Sequence, residues 1–405
     1  MGNTKKKKLV LFRHKFWTFA LRIIVQPLFC LLYKFKGQKF NLKKNGPHLI
    51  LCNHTNNIDP ILLSTNFNTP IYYVASEQLF YRGFLSKLLI YLFGIISKSK
   101  SMPDASTIKN IKRIIDEKGS VGMFVEGNVT FTGENPETPF AVCKLIKFLK
   151  APVLLYRMHG LYLSSPRWAF NKRRGKTYGE IAKIIQYDEY SKLSDQELFD
   201  LIVENLYVNC YDDQAKNPII YKGENLAEGI ERLLVVCPNC GSIESIHSKG
   251  DEFECLECKS IGKFNHYGMI ESESYKFANL IEYDHNVKKQ FINNLKHNNI
   301  VYSCKVEVFN IVKPKRVSLG FNAVSIDKEK IEIIFPNEAR VYTYDRVSQV
   351  CIQSKNQIII YLSDGNIVLL KGDNNFKPYL FLMIFQYYKN LYSTDTVIEI
   401  EKLGV

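Results

Sequence analysis

Residues 53–60 read Asn-His-Thr-Asn-Asn-Ile-Asp-Pro, directly after the apolar run Leu49 to Cys52. A His leaves the end of a short buried strand, and an Asp stands five residues on, just before a Pro. Pro is favoured in a helix's first turn, so Asp59 is predicted to open a helix. On a straight helix five residues rotate by roughly 140°, so His54 and Asp59 would not share a face. They meet only if Thr-Asn-Asn folds as a tight turn, which these residues favour. A carboxylate on one ring nitrogen of a neutral imidazole leaves the other free to take a proton, the general-base half of triad logic.

The elements that must position this pair are readable from periodicity. Strands are predicted at 48–52, 71–75, 94–97, 121–125, 152–157 and 178–186, and helices at 60–67, 84–93, 105–117, 137–149 and 194–209. Such alternation implies an α/β fold with a mixed sheet flanked by helices. Residues 5–45 are basic and apolar by turns. Phe16 to Tyr33 is rich in Phe, Leu and Ile but interrupted by Arg22 and Pro27. That is marginal for a span of about 20 apolar residues and better suited to a helix in the bilayer interface.

The His-x-x-x-x-Asp spacing resembles the first motif of the glycerophospholipid acyltransferase superfamily, whose simplest members are bacterial 1-acylglycerol-3-phosphate acyltransferases. Three further stretches follow in that family's order. Phe93-Gly94-Ile95-Ile96-Ser97-Lys98-Ser99-Lys100 resembles its second motif, with Lys100 where an Arg is usual. Phe124-Val125-Glu126-Gly127-Asn128-Val129-Thr130 keeps the Glu-Gly core of the third. Ala151-Pro152-Val153-Leu154-Leu155 resembles the fourth. The resemblance spans about residues 46–215 and implies an O-acyltransferase with His54 as base and Asp59 as its orienter. It also implies Lys100 as phosphate clamp, with Glu126, Gly127 and Asn128 lining the acceptor site. The implied donor is a fatty acyl thioester, on acyl carrier protein or coenzyme A, and the acceptor a lysophospholipid. No Ser or Cys is paired with His54 in the motif, so direct transfer without a covalent enzyme intermediate is expected. Val129 and Lys100 each remove a planar bidentate fork. The basic run 165–176, with Arg167, Arg173 and Arg174, is the candidate replacement, for phosphate, lipid headgroups or an acidic carrier protein. A different acceptor, a glycolipid or another lysolipid, is the second reading.

Cys237-Pro238-Asn239-Cys240 and Cys255-Leu256-Glu257-Cys258 are separated by fourteen residues. Two such thiolate pairs match a closed tetrahedral zinc site, structural because no position is left open. Zinc is the one cofactor expected; no redox or nucleotide cofactor is. The other cysteines lie singly in apolar runs, which fits a reducing compartment. From residue 276 the chain turns strand-rich, with strands at 305–312, 316–319, 324–326, 331–335, 340–344, 349–353, 357–362 and 366–371 and a helix at 376–391. Strands closed by one helix resemble the pleckstrin-homology-like architecture, whose modules bind lipid headgroups or peptides.

The chain has 405 residues and a formal net charge of +14. That length implies several domains, divided here as 1–45, 46–225, 230–275 and 276–405. Positive charge suits an anionic membrane surface or nucleic acid. A nucleic-acid-binding scaffold is therefore the reading from another class. The charge is spread along the chain and the motif series has no place in a scaffold, so no nucleic acid is expected. The start carries no cleavable apolar core, and position 6 is Lys where myristoylation wants Ser or Thr. The Asn-His-Thr and Asn-Val-Thr sequons are taken as unused. The expected location is the cytoplasmic face of the membrane, peripheral or monotopic.

Overall fold

The computed structural model describes residues 7–81, 83–98, 105–312 and 315–393. The chain divides into two compact units. One comprises residues 1–130, 134–164 and 174–219; the other comprises 131–133, 165–173 and 220–405.

The first unit is built on a seven-stranded sheet in the order β1-β7-β6-β2-β5-β3-β4. The strands are β1 (Phe35–Gly37), β2 (Leu49–Cys52), β3 (Ile71–Ser76), β4 (Ile96–Lys98), β5 (Ser120–Phe124), β6 (Val153–His159) and β7 (Thr177–Ile185). Every neighbouring pair is parallel except β6 and β7. β2 is fully buried, which is why it reads as an unbroken apolar run. Its side chains alternate between two cores. Leu49 and Leu51 join Val121, Val153 and Leu155 under α4 (Ala105–Asp116), α5 (Ala141–Leu149) and α6 (Asp195–Leu206). Ile50 and Cys52 join Leu154, Tyr156 and Met158 beneath Leu62 and Leu63 of α2 (Asp59–Ser64). His54 continues the Ile50–Cys52 series and leaves the strand on the α2 side.

α1 (Phe12–Leu32) packs on α2 and on α3 (Phe84–Phe93). It is long and apolar enough to cross a membrane by length and composition. Yet Phe16, Phe19, Ile23, Ile24, Leu28 and Leu31 are all exposed. In water such a surface is unfavourable, which marks it as a contact face.

The second unit opens with a four-stranded antiparallel sheet, β8 (Ile246–Lys249), β9 (Glu252–Cys255), β10 (Ile261–Phe264) and β11 (Ile270–Glu271). α7 (Leu280–His297) follows. A second seven-stranded sheet then runs β15-β14-β13-β12-β18-β17-β16 and is closed by α8 (Pro378–Ser393). Its strands are β12 (Tyr302–Val312), β13 (Lys315–Ile326), β14 (Lys330–Ile334), β15 (Ala339–Thr343), β16 (Val347–Ser354), β17 (Gln357–Leu362) and β18 (Ile367–Lys371). The stretches expected as separate strands at 316–319 and 324–326 form one strand, β13. Gly320, at φ 83°, lies where the β12–β13 register shifts between Glu307 and Phe309. A glycine bulge passes the ladder through a residue that sequence pattern reads as a break.

Candidate active site

His54 follows β2 and Asp59 is the first residue of α2. The turn between them is closed by the Asp59 backbone N–H donating to the Asn56 carbonyl at 3.0 Å. One carboxylate oxygen, Asp59 Oδ2, then accepts three donors: Thr55 N–H at 2.7 Å, Asn56 N–H at 2.8 Å and His54 Nδ1 at 2.8 Å. An ionised carboxylate only accepts, so this contact assigns the proton to Nδ1 and leaves a lone pair on Nε2. Asp59 is fully buried, whereas the His54 side chain keeps 18% of its surface exposed. The imidazole is reachable and the carboxylate is not.

The loop after β5 holds His54 from the other side. Glu126 Oε2 accepts the His54 backbone N–H at 2.8 Å, and Glu126 Oε1 accepts from the Asn135 amide. Burial pushes the Glu126 carboxyl well up, while the two donors pull it back toward ionisation. The His54 carbonyl in turn accepts Thr130 N–H at 3.0 Å. The imidazole lies against the Phe124 ring, centroids 4.4 Å apart and planes 25° apart. Asn53 clamps the strand end to β6, donating to the Met158 carbonyl at 2.9 Å and accepting its N–H at 2.7 Å. The His54 imidazole is therefore fixed at ring, backbone and strand.

His54 opens onto a cavity of about 290 Å³, lined among others by Pro60, Tyr73, Ser76, Lys98, Phe124 and Gly127. Gly127 has φ 71°, and a Cβ there would meet nothing within 4 Å, so backbone conformation is the reason for glycine. Of the expected acceptor residues, Gly127 is in the wall. Glu126 and Asn128 are not among the lining residues, and Glu126 instead positions His54. Lys100 lies outside the described residues; Lys98, two residues earlier, supplies the cation in the wall. Arg174 is exposed in the first unit and does not line the cavity.

Arg167 and Arg173 belong to the second unit. Arg167 donates to the Ile352 carbonyl, and Arg173 donates to the Leu226 carbonyl. The Arg173 guanidinium also sits 5.0 Å from the Trp168 ring centroid and 4.7 Å from that of Phe264. Each guanidinium reaches a backbone carbonyl of that unit, and neither lines the cavity at His54. Sequence reading missed Asn135, Tyr73 and Phe124 as parts of the site. Asn135 has no motif around it and reaches Glu126 only through the folded loop.

Cys237, Cys240, Cys255 and Cys258 bring their four sulfurs within 4.8 Å of one another. Cys237–Cys258 and Cys240–Cys255 are each 3.7 Å apart. A tetrahedron with metal–sulfur bonds of about 2.3 Å has an edge of about 3.8 Å. Gly241 and Lys259, each directly after the second cysteine of its pair, take φ 75° and 61°. The two turns thus curl alike around one point, and the donor set fits a thiolate-bound divalent ion.

The Acyltransferase family model matches residues 34–154, which include His54, Asp59 and the Glu126 loop. Residues 34–154 are therefore an acyltransferase-family domain. Membership implies in general terms an acyl donor and a lipid acceptor for the acyltransferase domain. Similar solved structures include 1-acyl-sn-glycerophosphate (LPA) acyltransferase, PlsC, from Thermotoga maritima, at 15% identity and a TM-score of 0.41. That match covers 50% of this chain and 81% of PlsC. The N-terminal PH domain of human ARAP2 is similar at 13% identity and a TM-score of 0.20, over 24% of this chain and 87% of that domain. No curated protein matches the chain.

Proposed function

We propose that the chain transfers a fatty acyl group from an acyl thioester to the free hydroxyl of 1-acylglycerol-3-phosphate, giving phosphatidic acid. The observation that carries this is the 2.8 Å His54–Asp59 contact with the ring in a cavity wall. His54 Nε2 takes the proton of the acceptor hydroxyl as its oxygen attacks the thioester carbonyl. The tetrahedral oxyanion collapses with loss of the thiolate, and the imidazolium returns the proton to that sulfur. Asp59 holds the tautomer and stabilises the transient imidazolium. Lys98 faces the acceptor phosphate as a point charge, with Lys100 and Arg174 as further cations and Gly127 and Asn128 beside the acceptor.

Coenzyme A and acyl carrier protein are both donors that this chemistry accepts. Zinc at the four cysteines is structural. The exposed side of α1 holds the enzyme monotopically on the cytoplasmic leaflet, aided by net positive charge. The sheet and closing helix of residues 276–405 support the pleckstrin-homology-like reading of that domain. Residues 1–45, 46–225 and 230–275 serve as membrane segment, catalytic domain and zinc ribbon.

The deciding experiment compares His54→Ala with the unaltered protein on vesicles carrying radiolabelled acyl donor. The variant still sediments with vesicles but loses transfer by roughly 10²–10⁴. Unchanged transfer removes the proposal. Lys100 and Val129, each where an Arg is usual, favour a second reading, a glycolipid or another lysolipid as acceptor. Assaying phosphorylated and unphosphorylated lysolipids side by side separates the two.

A further inference from the structure

A second cavity in the first unit, of about 460 Å³, is larger than the one at His54 and shares none of its lining residues. The two are back to back: Leu79 and Lys98 line the first, Phe80 and Ser97 the second. Its floor is apolar, with Leu11, Ile90, Ile96 and Ile114. Lys7, Lys8, Arg13 and Arg113 also line it. Lys7 and Lys8 are exposed, and Arg13 donates to the Tyr91 carbonyl at 3.0 Å and lies 4.2 Å over the Tyr91 ring. Arg113 donates to the Lys7 carbonyl at 2.7 Å and stands 3.8 Å from Glu117, whose other oxygen takes the Leu9 and Val10 N–H groups. Four cations thus line the cavity at the N-terminal end of α1, where the helix dipole adds further positive potential.

One more residue points to a ligand. His14 lines this cavity at 3% exposure, and its Nε2 has no hydrogen-bond partner. Nδ1 is 3.3 Å from the Tyr72 hydroxyl. With the Tyr72 hydroxyl as donor to Nδ1, the neutral ring carries its proton on Nε2. A buried donor without an acceptor is costly unless something else supplies one.

We propose that this cavity is a lipid site separate from the transferase cavity, taking the phosphodiester headgroup of an anionic phospholipid. Phosphate oxygens match a guanidinium and ammonium rim and accept the His14 Nε2 proton. The glycerol ester end of the same molecule matches the apolar floor. The volume lies inside the roughly 300–1,000 Å³ range of small-ligand sites. A lipid is favoured over free phosphate because the exposed apolar side of α1, whose first turn lines the cavity, is suited to a bilayer. The inference goes beyond the transferase reading and does not depend on it.

The test places the full chain, with ¹³C at histidine Cε1, in phosphatidylcholine nanodiscs. It is titrated with short-chain phosphatidylglycerol, short-chain phosphatidylcholine or inorganic phosphate; His14→Gln identifies the His14 signal. The His14 signal should move saturably with phosphatidylglycerol alone. Lys8→Gln/Arg13→Gln should weaken that binding at least tenfold; Lys7→Gln/Lys8→Gln, on exposed residues only, serves if the first variant misfolds. His54→Ala should leave the titration unchanged, which separates this site from the transferase cavity. The proposal is overturned if the His14 signal stays put, if phosphate alone moves it equally, or if the charge variants bind as the unaltered chain does.

Discussion

At the residue scale the site turns on which nitrogen of His54 holds the proton. Asp59 Oδ2 gathers two backbone N–H groups as well as the ring, so it is pinned before the imidazole is counted. Asp59→Asn puts an amide where a pure acceptor is needed. An amide nitrogen facing Nδ1 stabilises the wrong tautomer and turns the lone pair away from the cavity. Transfer should fall by roughly 10²–10⁴ in kcat, with less change in KM and an unaltered melting profile. Equal kcat in the variant would show that the proton leaves by another route. His54 and Asp59 were legible in sequence because strand end, turn residues and helix start all lie within eight consecutive residues. In sequence, nothing local distinguishes a guanidinium packed on Trp168 and Phe264, as that of Arg173 is, from one that meets a ligand. Asn135 went unseen for the complementary reason: its partner, Glu126, is brought to it only by the fold.

At the element scale, β2 is buried on both sides and leads into His54, and its entry is flanked by His48. That side chain is 2% exposed; Nδ1 donates to the Gly46 carbonyl at 3.0 Å, and its ring meets Phe40 edge-on. Burial holds its pKa below 6.5, partly offset by the Gly46 contact. The unfolded chain therefore binds more protons than the folded one just below pH 6.5. Stability contributed by neutral His48 is complete above pH 6.5 and drains away as pH falls toward the lower folded value. Urea unfolding at pH 7 and pH 5.5 should show a smaller acid loss in His48→Gln than in the unaltered protein. An identical loss would place the sensitivity elsewhere. Gly94 tests the second cavity's wall. It ends α3 at φ 63°, and a Cβ there would stand 2.8 Å from His14 Cε1 and 2.9 Å from Tyr72 Cε1. Gly94→Ala combines left-handed strain with overpacking, so a loss of roughly 1–3 kcal/mol is expected in denaturant titration. The strands around these positions were legible because apolar runs of strand length alternate with helical periods. Gly320 deceived the same reading, since a bulge and a turn use one residue type and only the partner strand tells them apart.

At the scale of the whole molecule, an enzyme for lipids must meet a bilayer, and its soluble parts must stay folded there. The exposed face of α1 answers the first need. The second falls on the cysteine site, because the sheet around it is small and its fold is tied outward into its unit. Val236, just before Cys237, donates its N–H to the Tyr283 hydroxyl at 3.2 Å, and its carbonyl accepts that hydroxyl at 2.8 Å. Lys377, beside the start of α8, donates to the Glu244 carbonyl at 3.2 Å. A metal holding Cys237 against Cys258 therefore fixes the chain that α7 and α8 grip. Removing it leaves up to four like charges within 4.8 Å, and the turns at Gly241 and Lys259 lose what curls them. Purified protein should carry one zinc per chain, released with four reactive thiols by a chelator and a mercurial reagent. The chelated protein should melt at a lower temperature and expose amides of α7 and α8 to hydrogen exchange, while amides of β2 and β6 stay protected. Cys240→Ser should weaken zinc retention and reproduce the exchange pattern without chelator. If chelation frees all four thiols and leaves α7 protected, the ribbon stands by its own packing and the metal is incidental to the unit's stability.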